Sequence, residues 1–249
     1  MTTFGDQLKS GSAYYSRATA TTSMNYIQGF TDLETSGVPV AQQTIYFMNA
    51  PIAATATAIA STTATAGGTL TASGPLVSGG VGQLDYPRCL AITCTSNLAT
   101  TTFTIRGTDG YGAGLTWSGA GPTTSATVFT SVAFKTVTTA SVVGLVTSTV
   151  QIGTTDTYGL PYYAASTNRV LGVYVDGNPL ASCTVTAGLT ATGTATATTA
   201  DVRGTVALAT AFIANASRNY AIVMVAPDVN ISKSIDDKEH TYGATPYSA

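Results

Sequence analysis

The chain reads as an all-β protein, a β-sandwich or jelly-roll-like body with an extended N-terminal arm and a C-terminal tail. Three observations predict this. Apolar stretches are short and β-branched, as in RCLAITCT (88–95), TFTIRGT (102–108) and RVLGVYV (169–175). Turn signals separate them every 8–12 residues or so, the spacing of sandwiches and barrels. Nowhere does an apolar 3.6-residue period run for three turns behind a capping residue, as an amphipathic helix would need.

Taken in order, residues 1–40 are polar and aromatic without a sustained period and read as an arm. The body, 41–227, opens with the strand QTIYFMNA (43–50), then the stretch AATATAIASTTATA (53–66). There, Thr55 to Ala58 alternate so that a strand would show methyls on one face and hydroxyls on the other. Thr194 to Ala197 repeat the pattern within a strand expected at 191–199. Methyls bury little area, so such strands gain most from neighbours, including other copies of the chain. The Gly-rich passage 67–83 reads as loop, or short strand between loops.

Asp109 and Gly110 mark a tight turn, as do Asp176 and Gly177, because glycine accepts positive φ and aspartate tolerates it. Strands are expected at 114–118, at 127–138 as one or two pieces, and at 148–152. Later ones fall at 181–187, 202–210 and 219–226, with a break between two subdomains near 160–170. Residues 228–249 regain charge and read as a tail.

Composition narrows the chemistry. Charged residues make up 9% of the chain, against roughly a quarter in ordinary soluble domains. The ten Lys and Arg are scattered singly, so no patch recommends nucleic acid, which needs clustered cations to release counterions. No apolar run reaches the roughly 18 residues of a bilayer span, and the first residues lack a basic start before an apolar core, so no secretory signal is expected. Assembly in a cytoplasm is the expectation, with free thiols. Cys89 and Cys94 are an odd number of residues apart on one strand and point to opposite faces. Cys183 is remote from both.

His240 is the only histidine and lies in the tail, so a Ser-His-Asp device has no support. Glu34 and Glu239, the only glutamates, lie in the terminal segments. The aspartates of the body, Asp85, Asp109, Asp156, Asp176 and Asp201, mostly sit where turns want them. No catalytic residue, cofactor or metal ligand set is expected, although a loop calcium at Asp109 or Asp156 stays open. Tyr111 and Trp117 flank a Gly-rich turn. Their rings either stack on a sugar or protein partner, or Trp117 fills a core of otherwise small side chains. Tyr14, Tyr15 and Tyr26 are the contact candidates of the arm, since aromatics anchor interfaces well.

Four strings, LDYPRCLAITCT (84–95), FTIRGTDGYG (103–112), VAFKTVTTASVVG (132–144) and VQIGTTDTYGLPYY (150–163), resemble, in that order, a group of tailed-bacteriophage virion proteins. The chain departs from the group's pattern after GTDGYG, where Leu115, Thr116 and Trp117 stand in place of a glutamate-bearing strand. The resemblance implies a capsid decoration (cement) protein, or another external virion component. It implies the major capsid protein and the chain itself as partners, as a trimer before a dimer, on the capsid exterior. Two rival expectations remain: a tail or fibre β-domain binding host-surface glycans, and a jelly-roll major shell protein. An enzyme is the least expected class.

Overall fold

A computed structural model describes residues 43–62, 67–144, 148–164, 166–180, 182–189 and 200–225. Their fold is all-β, with no α-helix among the described residues and two short 3-10 turns, Thr167–Arg169 and Thr210–Phe212.

The larger sheet is antiparallel throughout and is organised around two long strands. These are β5 (Val81–Cys94) and β10 (Val150–Gly159). Its path runs β13 (Thr184–Ala187), β14 (Gly204–Ala207), β10, β5, β9 (Phe134–Val143), β6 (Thr102–Thr108) and β7 (Gly114–Ala120). Short strands pair beside it: β2 (Ala60–Thr62) on β10, β3 (Gly68–Leu70) on β9, and β4 (Val77–Ser78) and β8 (Thr127–Phe129) on β5. The smaller sheet has four strands in the order β1 (Gln43–Met48), β15 (Tyr220–Val225), β11 (Val170–Val175), β12 (Asn178–Pro179). Chain start and end of the described body meet here, since Gln43 is the register partner of Val225.

Two apolar cores follow. One gathers Leu90, Ile92, Phe103, Ile105, Phe134 and Val142 from the larger sheet. The other gathers Met48, Tyr158, Val173, Val206, Tyr220 and Ile222. Strand β10 belongs to both, giving Ile152 to the first and Tyr158 to the second. A single strand shared this way ties the cores together through its own backbone.

Both expected turns are present. Asp176 and Gly177 have φ of 48° and 83° and join β11 to β12, the left-handed pair that a two-residue hairpin demands. The turn at Asp109 joins β6 to β7. The expected strand 148–152 extends to Gly159, and 127–138 resolves into β8 and β9. The expected strand 191–199 lies outside the described residues.

The alternating stretch at Thr55 to Ala58 is not a strand, which corrects the reading by period. It crosses β10 as irregular chain, with the Thr154 amide donating to the Thr55 carbonyl at 3.0 Å and the Thr55 amide donating to Thr154 Oγ1 at 3.2 Å. A Cβ on Gly153 would stand 2.2 Å from the Thr55 carbonyl oxygen. Small residues therefore serve close backbone approach here, a use that period-2 alternation mimics without requiring a ladder. Cys89, Cys94 and Cys183 are all free thiols, the first two buried.

Candidate functional site

A cleft of about 300 Å³ opens where the two sheets meet, lined by Tyr46, Tyr86, Tyr111, Lys135 and the aspartates Asp85, Asp109 and Asp201. Local turns position its charges. Asp109 Oδ1 accepts from the amides of Tyr111 at 2.8 Å and Ala113 at 2.9 Å, which folds the β6–β7 loop onto its own side chain. Asp201 does the same for the chain entering β14: Oδ1 accepts from the Arg203 amide and Oδ2 from the Ala133 amide, both at 2.9 Å. Gly204 follows at φ 96°, a conformation open to glycine. The result aims Arg203 back at the first turn. Its Nη1 donates to Asp109 Oδ2 at 2.7 Å, and its guanidinium lies 4.7 Å from the centre of the Tyr111 ring. The Tyr111 hydroxyl donates to the Pro161 carbonyl at 2.7 Å.

A second pair lies deeper. Arg88 is fully buried, donates through Nη2 to Asp85 Oδ2 at 2.6 Å and to the Ile52 carbonyl at 2.8 Å, and stacks 4.7 Å from the centre of the Tyr158 ring. Its Nε and Nη1 make no hydrogen bond. Asp85 also accepts from the amides of Ile52 and Tyr86, while Lys135 donates to the carbonyls of Leu84 and Asp85. Breaking one partner of a pair like these costs about 3–5 kcal/mol, because the other charge is left buried.

Burial sets the proton affinities. It raises the Asp201 carboxyl above its ordinary value, opposed by the amide hydrogen bonds of Ala133 and Arg203 and the charge of Arg203. It raises Asp156 similarly, against the amide of Ala214 and the charge of Arg88. The Cys89 thiol and the Tyr46 and Tyr158 hydroxyls are pushed up by burial as well. Asp85, Asp109 and Asp201 each hold backbone amides. As built, they fasten five chain segments together around a cleft at the low end of small-molecule site volumes.

Tyr111 stands on the rim of the cleft, 51% exposed. Trp117 does not join it: at 4% exposure it belongs to the larger core, its indole lying across Gly119, where a Cβ would come within 2.5 Å of the ring. It is withdrawn as a contact residue, since a side chain this deeply buried offers no surface to a partner. Tyr14, Tyr15, Tyr26 and His240 lie outside the described residues. The carboxylate oxygens of Asp109, one of the two loop-calcium candidates, are engaged by Arg203 and two amides. Among the described residues, no three His, Cys, Asp or Glu side chains come together as a metal site.

Sequence reasoning passed over Arg88 and Arg203 and read Asp201 only among the turn aspartates. The available signal was charge embedded in β segments, as in PRCLAI and DVRGTVA, within a chain that spends charge sparingly.

A second surface stands out on the smaller sheet. Its inner face carries Met48, Ile222 and Val173. Its outer face carries Phe47 beside Ala221 beside Tyr174, and Ile45 beside Val223 beside Gly172. Phe47 is 58% exposed and Ile45 38%. No charged residue occurs in either row.

Compared with protein-family models, curated proteins and solved structures, the chain matches none. What the fold and site define is an all-β protein whose buried charges are structural fasteners.

Proposed function

We propose that the protein is a non-enzymatic virion component, a decoration protein that binds the outside of a tailed-bacteriophage capsid and strengthens contacts between capsomers. One observation carries the reading. The four strings of phage resemblance fall on β5, β6, β9 and β10, and those four strands are consecutive neighbours in the larger sheet, in the order β10, β5, β9, β6. The likeness thus follows one spatial unit and not scattered pieces of sequence. The Asp109 turn and the Pro161 carbonyl that receives Tyr111 belong to the same strings.

The action is mechanical. Surface buried between neighbours offsets the outward pressure of packaged DNA, and repeated contacts let weak interfaces add. In this reading the chain assembles with itself, as a trimer before a dimer, and Tyr14, Tyr15 and Tyr26 reach the major capsid protein. With Trp117 in the core, glycan stacking keeps only Tyr111. The test is assembly of particles with a chain lacking residues 1–30. Occupancy on the shell is expected to disappear while circular dichroism still reports the β body. Unchanged occupancy would overturn the arm's role, and absence of the intact chain from particles would overturn decoration itself.

A further inference from the structure

We infer that the outer face of the smaller sheet is the docking site of the chain's own N-terminal segment, residues 1–42. An antiparallel sheet that meets water on one side normally alternates apolar with polar residues. This one does not: Ile45, Phe47, Val223 and Tyr174 face away from the core that Met48, Ile222 and Val173 fill. The Tyr174 ring leans over Gly172, within 3.1 Å of where a Cβ would stand, which keeps the surface smooth. Strand β1 is also the sheet's outer strand, and its second edge pairs with nothing among the described residues.

Three considerations choose the occupant. The first is size: three six-residue strands, about 4.8 Å apart and about 20 Å long, give a patch of roughly 300 Å². A stable protein partner needs about 800 Å² per side. A patch this size fits a strand or two of chain better than a second folded body.

The second is position. Residue 42 joins the first residue of β1, whose register partner is the last residue of β15. Both terminal segments therefore start at the rim of the patch. A tether that short gives an effective concentration of about millimolar, so modest contacts suffice. The third is chemistry. Residues 1–42 carry Phe4, Tyr14, Tyr15, Tyr26, Ile27 and Phe30, with Asp6, Lys9, Arg17, Asp32 and Glu34 spaced singly among them. The C-terminal segment instead carries Lys233, Asp236, Asp237, Lys238 and Glu239, charges that an apolar face would have to desolvate.

The docking concerns the chain before assembly and does not rest on the decoration reading, in which the same tyrosines leave this face for the shell; the isolated full-length protein tests it. Hydrogen exchange read by mass spectrometry is compared for the natural chain, Phe47→Lys, and Phe129→Lys, the last altering an equally exposed ring of the larger sheet. Amides within residues 1–42 are expected to exchange about tenfold or more slowly than free peptide in the natural chain and in Phe129→Lys. In Phe47→Lys they should return to free-peptide rates, while β5 and β10 stay protected. Should Phe47→Lys lose protection in β5 as well, Ile45→Lys supplies the same reading from a less exposed position. Free-peptide rates in the natural chain would overturn the inference, as would protection indifferent to both lysines. Protection that vanishes on dilution, together with a dimer by light scattering, would assign the face to a second copy.

Discussion

The two sheets solve the problem of their outward faces in opposite ways. On the larger one, Ser118, Thr104 and Ser141 lie side by side across β7, β6 and β9. Their hydroxyls bond within the row, Thr104 Oγ1 to Ser118 Oγ at 3.3 Å and Ser141 Oγ donating to the Thr104 carbonyl at 3.4 Å. Thr108 and Thr136 repeat the arrangement at 2.7 Å. Arg106 stands between Thr104 and Thr108 on the same face of β6, so that surface is finished by hydroxyls and a charge, with Val143 as its exposed apolar side chain on β9. The smaller sheet presents Phe47 and Ile45 in the equivalent place. Hydroxyls complete a face toward water; rings and branched carbons leave it waiting for cover.

The strongest way to break the contrast is at the ion pair that ties the start of β14 to the β6–β7 loop, two distant parts of the larger sheet. Asp109→Ala removes the acceptor for two amides and strands Arg203, so the chain is expected to lose about 3–5 kcal/mol in urea denaturation. A loss under 1 kcal/mol would mean that this pair is not what holds the β6–β7 loop to β14.

The next test separates the regions by pH. Burial raises the Cys89 thiol of the larger sheet above its ordinary 9.0. The native state therefore keeps a proton that the unfolded chain releases. Its stabilising contribution is full below pH 9 and declines by about 1.4 kcal/mol per pH unit above it. Tyr46 and Tyr158, on the side of the smaller sheet, have raised hydroxyls too, but their loss begins only above their ordinary value of 10.0. Denaturation midpoints followed between pH 8.5 and 10 should fall in the natural chain and fall less steeply in Cys89→Ala, where Cys183, also raised by burial, still titrates. Equal slopes would place the titrating group elsewhere.

The smallest expected effect concerns the finished face. Thr104→Val should cost about 0.2–1 kcal/mol, the scale of one cross-strand pair, with no change in association by light scattering. New self-association would show that the hydroxyl row keeps copies apart as well as bonding within one.

Much of this arrangement is legible in the sequence. The β class, the turn at Asp176 and the central strands announce themselves through short β-branched runs and a positive-φ dipeptide; the turn at Asp109 falls where expected, but its positive φ is at Gly112 and not at Asp109 or Gly110. Thr55 to Ala58 mislead because alternation of Thr and Ala is also what close backbone packing selects, and only Gly153 across the gap tells the two apart. Trp117 was ambiguous because nothing local reveals that Gly119 makes room for its ring. The ion pair was hidden for another reason: Asp109 and Arg203 are 94 residues apart, and no short-range pattern records a pair of that span.

The register of Gln43 on Val225 has a mechanical consequence. The two strands run antiparallel with both free ends at the same extremity. A force separating the terminal segments acts across the strands and parts their hydrogen bonds one rung at a time, from 43–225 towards 48–220. A force drawing both segments the same way slides neither strand past the other, so it spares these rungs and shears the pairing of β15 on β11 instead. The same six-residue ladder is thus a zipper in one direction and unloaded in the other, and the direction of pull alone decides which.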